Sequence, residues 1–176
     1  MGIPPGIFGD GNLDGYWRKE RSDKGGGIFF DTGSHFVDLA LWLAGADPES
    51  TAAFMETTES STEKYTSVQA KLSNGAHVSI QSNETLQGTG PAMAMDLTLI
   101  GDSGIIHCNG DEAWISKGGQ REKIDVQLPD FSAMEAFIAT IKGEAPNLSP
   151  GPDAIRVVSL TEAVYRSAGE NRIVKI

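Results

Sequence analysis

Cysteine is almost absent from this sequence. Cys108 is the only one, so no intrachain disulfide can form, which suits a reducing compartment. Positive charge is also short. Lys and Arg number 14 against 24 Asp and Glu, a formal net charge of -10. Such a balance lacks the basic face that nucleic acid requires and does not favour anionic lipid surfaces. No apolar run reaches the roughly 18 residues of a membrane helix. The opening stretch "MGIPPGIFGDGN" is too rich in glycine and proline for a signal-peptide h-region. These absences point to a cytoplasmic protein with no nucleic-acid and no membrane partner. The sequons at Asn83 and Asn147, with no export signal before them, read as chance matches.

Several catalytic signatures are missing as well. Neither "GIPPGIFGDG" nor "KGGGIFFDTGS" makes G-x-G-x-x-G after a strand and opening a helix, so there is no dinucleotide fingerprint. No G-x-x-x-x-G-K-[ST] phosphate loop occurs, and no G-x-S-x-G nucleophile elbow.

What is present is an α+β pattern on 176 residues, a length that suits one sizeable core. Residues 1–27 form an irregular leader punctuated by glycine and proline, belonging to the same domain as 28–176. From His35 to Ala44, Phe36, Leu39, Ala40 and Leu43 repeat at helical spacing, with Asp31 or Thr32 as cap and Gly45 as stop. Strands follow at 51–58, then in a hairpin where Val68, Ala70 and Leu72 alternate with polar residues, Asn74-Gly75 turns the chain, and Ala76, Val78 and Ile80 alternate again. Further strands are expected at 94–100, 104–108, 112–116 and 122–128. Their short links imply an antiparallel meander. Two helices close the chain. The first carries a face of Met134, Phe137, Ile138 and Ile141, with Ser132 and Glu135 at capping-box spacing. The second starts at Ser149-Pro150, draws apolar contacts from Ile155, Val158, Ala163 and Tyr165, and ends at Gly169 before a short last strand. The expected architecture is an open, mostly antiparallel β-sheet with helices packed on one face.

The chemistry concentrates in "GGGIFFDTGSHFVDLALWLAG", 25–45. Asp31, His35 and Asp38 stand four and three residues apart, a spacing that puts side chains on one helical face. A carboxylate beside an imidazole orients it and sets its tautomer, a sound arrangement for moving a hydroxyl proton. Two other readings stay open on spacing alone. Asp31 is also placed to cap a helix whose His35 is merely structural. The trio could also ligate a metal, although no His-rich or Cys-rich reinforcement accompanies it. The glycines, Gly26 and Gly27 among them, would let a ligand approach the backbone. Trp17 and Arg18 could frame a polyol or carboxylate pocket, or form an exposed loop with one anchoring aromatic. His77 and His107 read as surface or structural histidines. Cys108 and His107 are neighbours on a strand and point to opposite faces, so they do not make a nucleophile pair.

The stretch "WRKERSDKGGGIFFDTGSHFVDLALWLAG" resembles the start of the C-terminal domain in the glucose–fructose oxidoreductase / inositol dehydrogenase / rhizopine-catabolism (Gfo/Idh/MocA) family. The ending "PDAIRVVSLTEAVYRSAGENRIVKI" resembles the family's last helix and strand. The resemblance implies a fold like the C-terminal domains of dihydrodipicolinate reductase and glyceraldehyde-phosphate dehydrogenase, used for substrate binding and homo-oligomer contacts through the sheet face. It implies that Asp31 and His35 are the catalytic pair acting on a sugar, polyol or related hydroxyl compound. Trp17, Arg18, Thr32 and Asp38 would then lie near the substrate, and Gly26 and Gly27 near a nicotinamide. The family's NAD or NADP is held by an N-terminal Rossmann domain. That domain's glycine turn and the family's Glu-Lys-Pro segment have no match here. The expectation is therefore a chain that binds no cofactor by itself and is inactive alone, completed by a Rossmann domain in cis or as a separate chain. A non-enzymatic sugar-binding or assembly module that kept the fold is the alternative. No metal is expected.

Overall fold

The computed structural model describes residues 27–57, 62–83, 96–109, 112–127 and 130–176. They fall into two compact units.

The first unit holds 27–57, 62–83 and 149–176. Its sheet has the order β3-β2-β1-β8, from β1 (Pro48–Thr57), β2 (Glu63–Leu72), β3 (His77–Asn83) and β8 (Val174–Lys175). Every pairing is antiparallel. On β2, Thr66, Val68, Ala70 and Leu72 are buried and the residues between them are not, the period-2 signature of a sheet with one covered face. The hairpin turn is a three-residue loop, Ser73 to Gly75. Leu72 N–H donates to Ala76 O at 2.9 Å, and Gly75 takes φ +85°, a left-handed position that glycine fills without a Cβ clash.

Two helices cover that face, α1 (Ser34–Ala44) and α3 (Gly151–Glu170). Phe29, Val37, Leu41, Ala53, Val68, Leu72, Leu160 and Val164 form the centre of the core. In α1 the buried face is Val37 and Leu41, one step round from the expected Phe36, Leu39, Ala40 and Leu43. The segment is apolar on nearly every side, so spacing alone does not single out a face. Gly45 ends α1 as expected, at φ 59°.

In α3 two of the four expected contacts hold, Ala163 and Tyr165. Leu160, Ala163 and Val164 are buried, while Ile155 and Val158 are exposed. Pro150 is the N-cap residue rather than the first helical one. The helix starts between the two prolines because Pro152 falls in the first turn, where its missing N–H costs no helical bond. The helix runs past Gly169 to Glu170, and Asn171 takes the left-handed position. Ser167 ties its last turn to the sheet. The hydroxyl accepts from Ala53 N–H at 3.0 Å and donates to Arg172 O at 2.7 Å.

The second unit, taken by itself, holds 96–109, 112–127 and 130–148. Its strands are β4 (Leu97–Gly101), β5 (Gly104–Cys108), β6 (Ala113–Lys117) and β7 (Gln120–Ile124). They form an antiparallel meander in chain order, as their short links require. Helix α2 (Ala133–Lys142) opens with the expected capping box at Ser132 and Glu135. Its apolar face, Met134, Phe137, Ile138 and Ile141, is exposed.

Candidate functional site

The helix that carries Asp31 and His35 begins earlier than its sequence pattern suggests. Residues Phe29–Gly33 form a π-helical turn that runs directly into α1. Neither Asp31 nor Thr32 caps the helix. Ile28 stands at the N-cap of the π turn and Gly33 at that of α1, both without a side-chain capping bond. Asp31 N–H instead donates to Gly27 O at 3.1 Å, and Ser34 Oγ donates to Asp31 O at 2.9 Å. A π turn widens the backbone path by one residue and is frequent at functional sites.

The turn is fastened on its inner side. Phe29 is fully buried, worth about 1.5–3 kcal/mol of transfer free energy. Its ring meets the Tyr165 ring edge-on at 6.2 Å between centroids. Glu63 is also fully buried. Its Oε2 accepts from Phe29 N–H at 3.3 Å, and its Oε1 accepts from the Tyr165 hydroxyl. Burial, followed by the bond to Glu63 and its charge, raises the Tyr165 phenol above its ordinary range.

On the outer side the segment is open. Asp31 and Thr32 are half-buried, and His35 and Asp38 are exposed. Asp38 follows His35 by three residues on α1, which keeps the two on neighbouring positions of one face. Gly27 has φ +106°, and the place a Cβ would take is filled by the Glu63 carboxylate, 1.7 Å from Oε2. Trp17, Arg18 and Gly26 lie outside the described residues. Among the described residues, no group of three His, Cys, Asp or Glu is placed to hold a metal ion.

With a helix bearing Asp-x-x-x-His laid over an antiparallel sheet, the comparison with known proteins is direct. Residues 9–176 match the oxidoreductase family's C-terminal alpha/beta domain, in its Gfo/Idh/MocA branch. The chain belongs to this family. Among solved structures it is similar to the aldose-aldose oxidoreductase from Caulobacter crescentus complexed with glycerol. The TM-score is 0.78 at 20% identity, covering 91% of this chain and 50% of that one. It is also similar to an oxidoreductase from Agrobacterium radiobacter in complex with NAD+, L-tartaric acid and magnesium (TM-score 0.70, 21% identity, 84% and 48% covered). A third is the WlbA dehydrogenase from Bordetella pertussis in complex with NADH and UDP-GlcNAcA (0.67, 21%, 86% and 46%). At these identities the likeness is one of fold. The chain spans about half the length of these structures. No curated protein matches it.

Of the other two histidines, His107 has local partners. His107 sits on β5 with Nδ1 3.1 Å from Thr98 Oγ1 and Nε2 3.2 Å from Asp96 Oδ1. Its ring stacks on Trp114 at 5.9 Å, and Arg121 lies over Trp114 at 4.7 Å. This cross-strand ladder accounts for His107 structurally. His77 is exposed at the start of β3.

Sequence reasoning missed Glu63. A register shift between β1 and β2 pairs Glu56 with Tyr65 and Thr57 with Glu63, leaving Lys64 as the extra residue of a β-bulge. In an unbroken strand Glu63 would share the outer face with Tyr65; the bulge turns it to the core. The charged pair Glu63-Lys64 at a strand start was the available signal. It reads equally well as an exposed strand end.

Proposed function

We propose that this chain is the substrate-binding and proton-transfer half of a nicotinamide-dependent oxidoreductase acting on a sugar, polyol or related hydroxyl compound. The observation that carries the reading is the Asp31–His35 pair on a helix whose inner side is locked into the core while its outer side stays open. It is set in a domain matched to the family over residues 9–176.

In this reading His35 accepts the proton of the substrate hydroxyl on a ring nitrogen as the C–H bond breaks, and Asp31 orients the imidazole and balances the charge it acquires. Thr32 and Asp38 line the approach of the substrate, with Trp17 and Arg18 as further binding residues. The described residues include no phosphate-cradling turn, and the space beside Gly27 is taken by Glu63. They do not fit the phosphates of a dinucleotide. NAD or NADP, which supplies the hydride acceptor, belongs to a Rossmann domain in cis or on a separate chain. The bound NAD+ and NADH of two similar structures support that assignment. Homo-oligomerisation through the outer face of β1–β3, where Phe54 and Tyr65 are exposed, and a cytoplasmic location complete the proposal.

The decisive experiment uses the complete enzyme with NAD+ or NADP+ and a panel of aldoses and polyols. His35→Ala is expected to lower turnover by about 10²–10⁴ while leaving nicotinamide binding intact. Unchanged turnover would remove His35 from the mechanism. Tight binding of NAD(P) to residues 1–176 alone would contradict the division of labour.

A further inference from the structure

We infer that Glu63 is a positioning residue, a buried carboxylate whose role is to hold the π turn that presents Asp31 and His35. The inference rests on the proton-transfer reading of that pair, and its geometry stands apart from it. Three elements meet at one fully buried carboxylate. One oxygen accepts from the Phe29 backbone N–H at the first residue of the π turn; the other accepts from the Tyr165 hydroxyl on α3. The bulge at Lys64 exists in the ladder where it turns this side chain inward. Gly27 leaves the carboxylate its space, since a Cβ there would sit 1.7 Å from Oε2.

A buried carboxylate is a costly choice for mere packing. An apolar side chain of similar size would fill the site without desolvating a charge. What a carboxylate adds is direction. It accepts two hydrogen bonds at once and so fixes where the first turn lies relative to β2 and α3. His35 is six residues beyond Phe29 on the same continuous helical segment. A tilt of the turn at Phe29 is therefore carried to the imidazole. A displacement of about 1 Å at a reacting group is enough to cost on the order of 10²-fold in rate.

Two variants test this. Glu63→Gln keeps the shape but turns an amide NH2 toward either the Phe29 N–H or the Tyr165 hydroxyl. Tyr165→Phe removes one donor and leaves the carboxylate in place. In the 176-residue chain, amide hydrogen exchange at Asp31–His35 is expected to rise about tenfold in either variant, with Val68 and Ile80 in the sheet unchanged. In the complete enzyme, on whichever panel member turns over, kcat is expected to fall about 10-fold to 100-fold with KM held. Exchange that is unchanged in both variants, or that rises evenly through β1–β3, overturns the inference. If Glu63→Gln does not fold, Tyr165→Phe decides alone by the same readout. Faster local exchange together with a silent His35→Ala supports the anchor and refutes the proton-transfer reading, so the two failures are distinguishable.

Discussion

The ring of Phe29 lies against Gly33 so closely that a Cβ on Gly33 would come within 2.7 Å of Phe29 Cδ2. The two residues close the π turn on itself. Phe29 is fully buried, and a close-packed interior leaves a ring little room to swing. Gly33→Ala is expected to lose about 1–3 kcal/mol to overpacking, outweighing the gain of about 1 kcal/mol that alanine has over glycine in a helix. Urea unfolding should show a lower midpoint with an unchanged slope. A more stable variant would mean that the ring yields.

Tyr165 makes stability fall in alkali. Its phenol is raised above the ordinary 10.0 by burial, then by the hydrogen bond to Glu63 and the carboxylate's charge. The folded state therefore keeps a proton that the unfolded state releases above pH 10.0. The stabilisation is complete below that pH and declines as pH rises toward the folded value. Tyrosinate absorbance should show Tyr165 ionising only as the fold is lost. Tyr165→Phe should remove that late component. An early, reversible ionisation of Tyr165 in folded protein would contradict the buried Glu63 contact.

Glu135 does the opposite in acid. Its carboxyl is held below the ordinary 4.5, first by the Ser132 backbone N–H and then by the Ser132 hydroxyl. Both donate to Oε2, at 2.7 and 2.8 Å. A depressed folded value means that the cap contributes fully above pH 4.5 and is lost as pH falls through the folded value. A carboxyl-detected NMR titration should place Glu135 below an unfolded-peptide reference. Ser132→Ala should bring it only part of the way back to that reference, since the backbone N–H at position 132 remains, and should fray the first turn of α2.

Asn74 joins the hairpin turn to α1. Its Nδ2 donates to Ala44 O at 3.0 Å, and its Oδ1 accepts from Ala76 N–H at 3.0 Å. Asn74→Ala removes both bonds and leaves a helix-terminal carbonyl to water. The expected cost is about 1 kcal/mol, since both bonds are exposed. It is read as a lower thermal midpoint with the spectrum of the folded state unchanged. No change would mean that water replaces both bonds without loss.

Local patterns were legible in the sequence. Alternation along 68–72 and 76–80 marked the strands because a sheet with one covered face imposes period 2. The Ser132–Glu135 box and the Gly45 stop were readable because caps act within one turn of chain. The face of α1 was not readable. Its apolar residues surround the axis, and only burial in the core shared with α3 and the sheet selects Val37 and Leu41. The first residue of α3 is Gly151 and not Pro150, because two prolines compete for one helix start.

The Asp31–His35 spacing and the family resemblance were present in the residues themselves, because a four-residue step is a local property of the chain. What held that pair was not. The chain separation between Glu63 and Tyr165 is 102 residues. Glu63 faces the core only because a bulge breaks the alternation that sequence reading relies on. The π turn likewise meets a ring packed over Gly33 and a carboxylate arriving from β2. Local sequence determined which titratable residues stand together on this segment. Long-range packing decided which of them are held, and by what, because hydrogen bonds and ring contacts between distant segments exist only once the chain has folded.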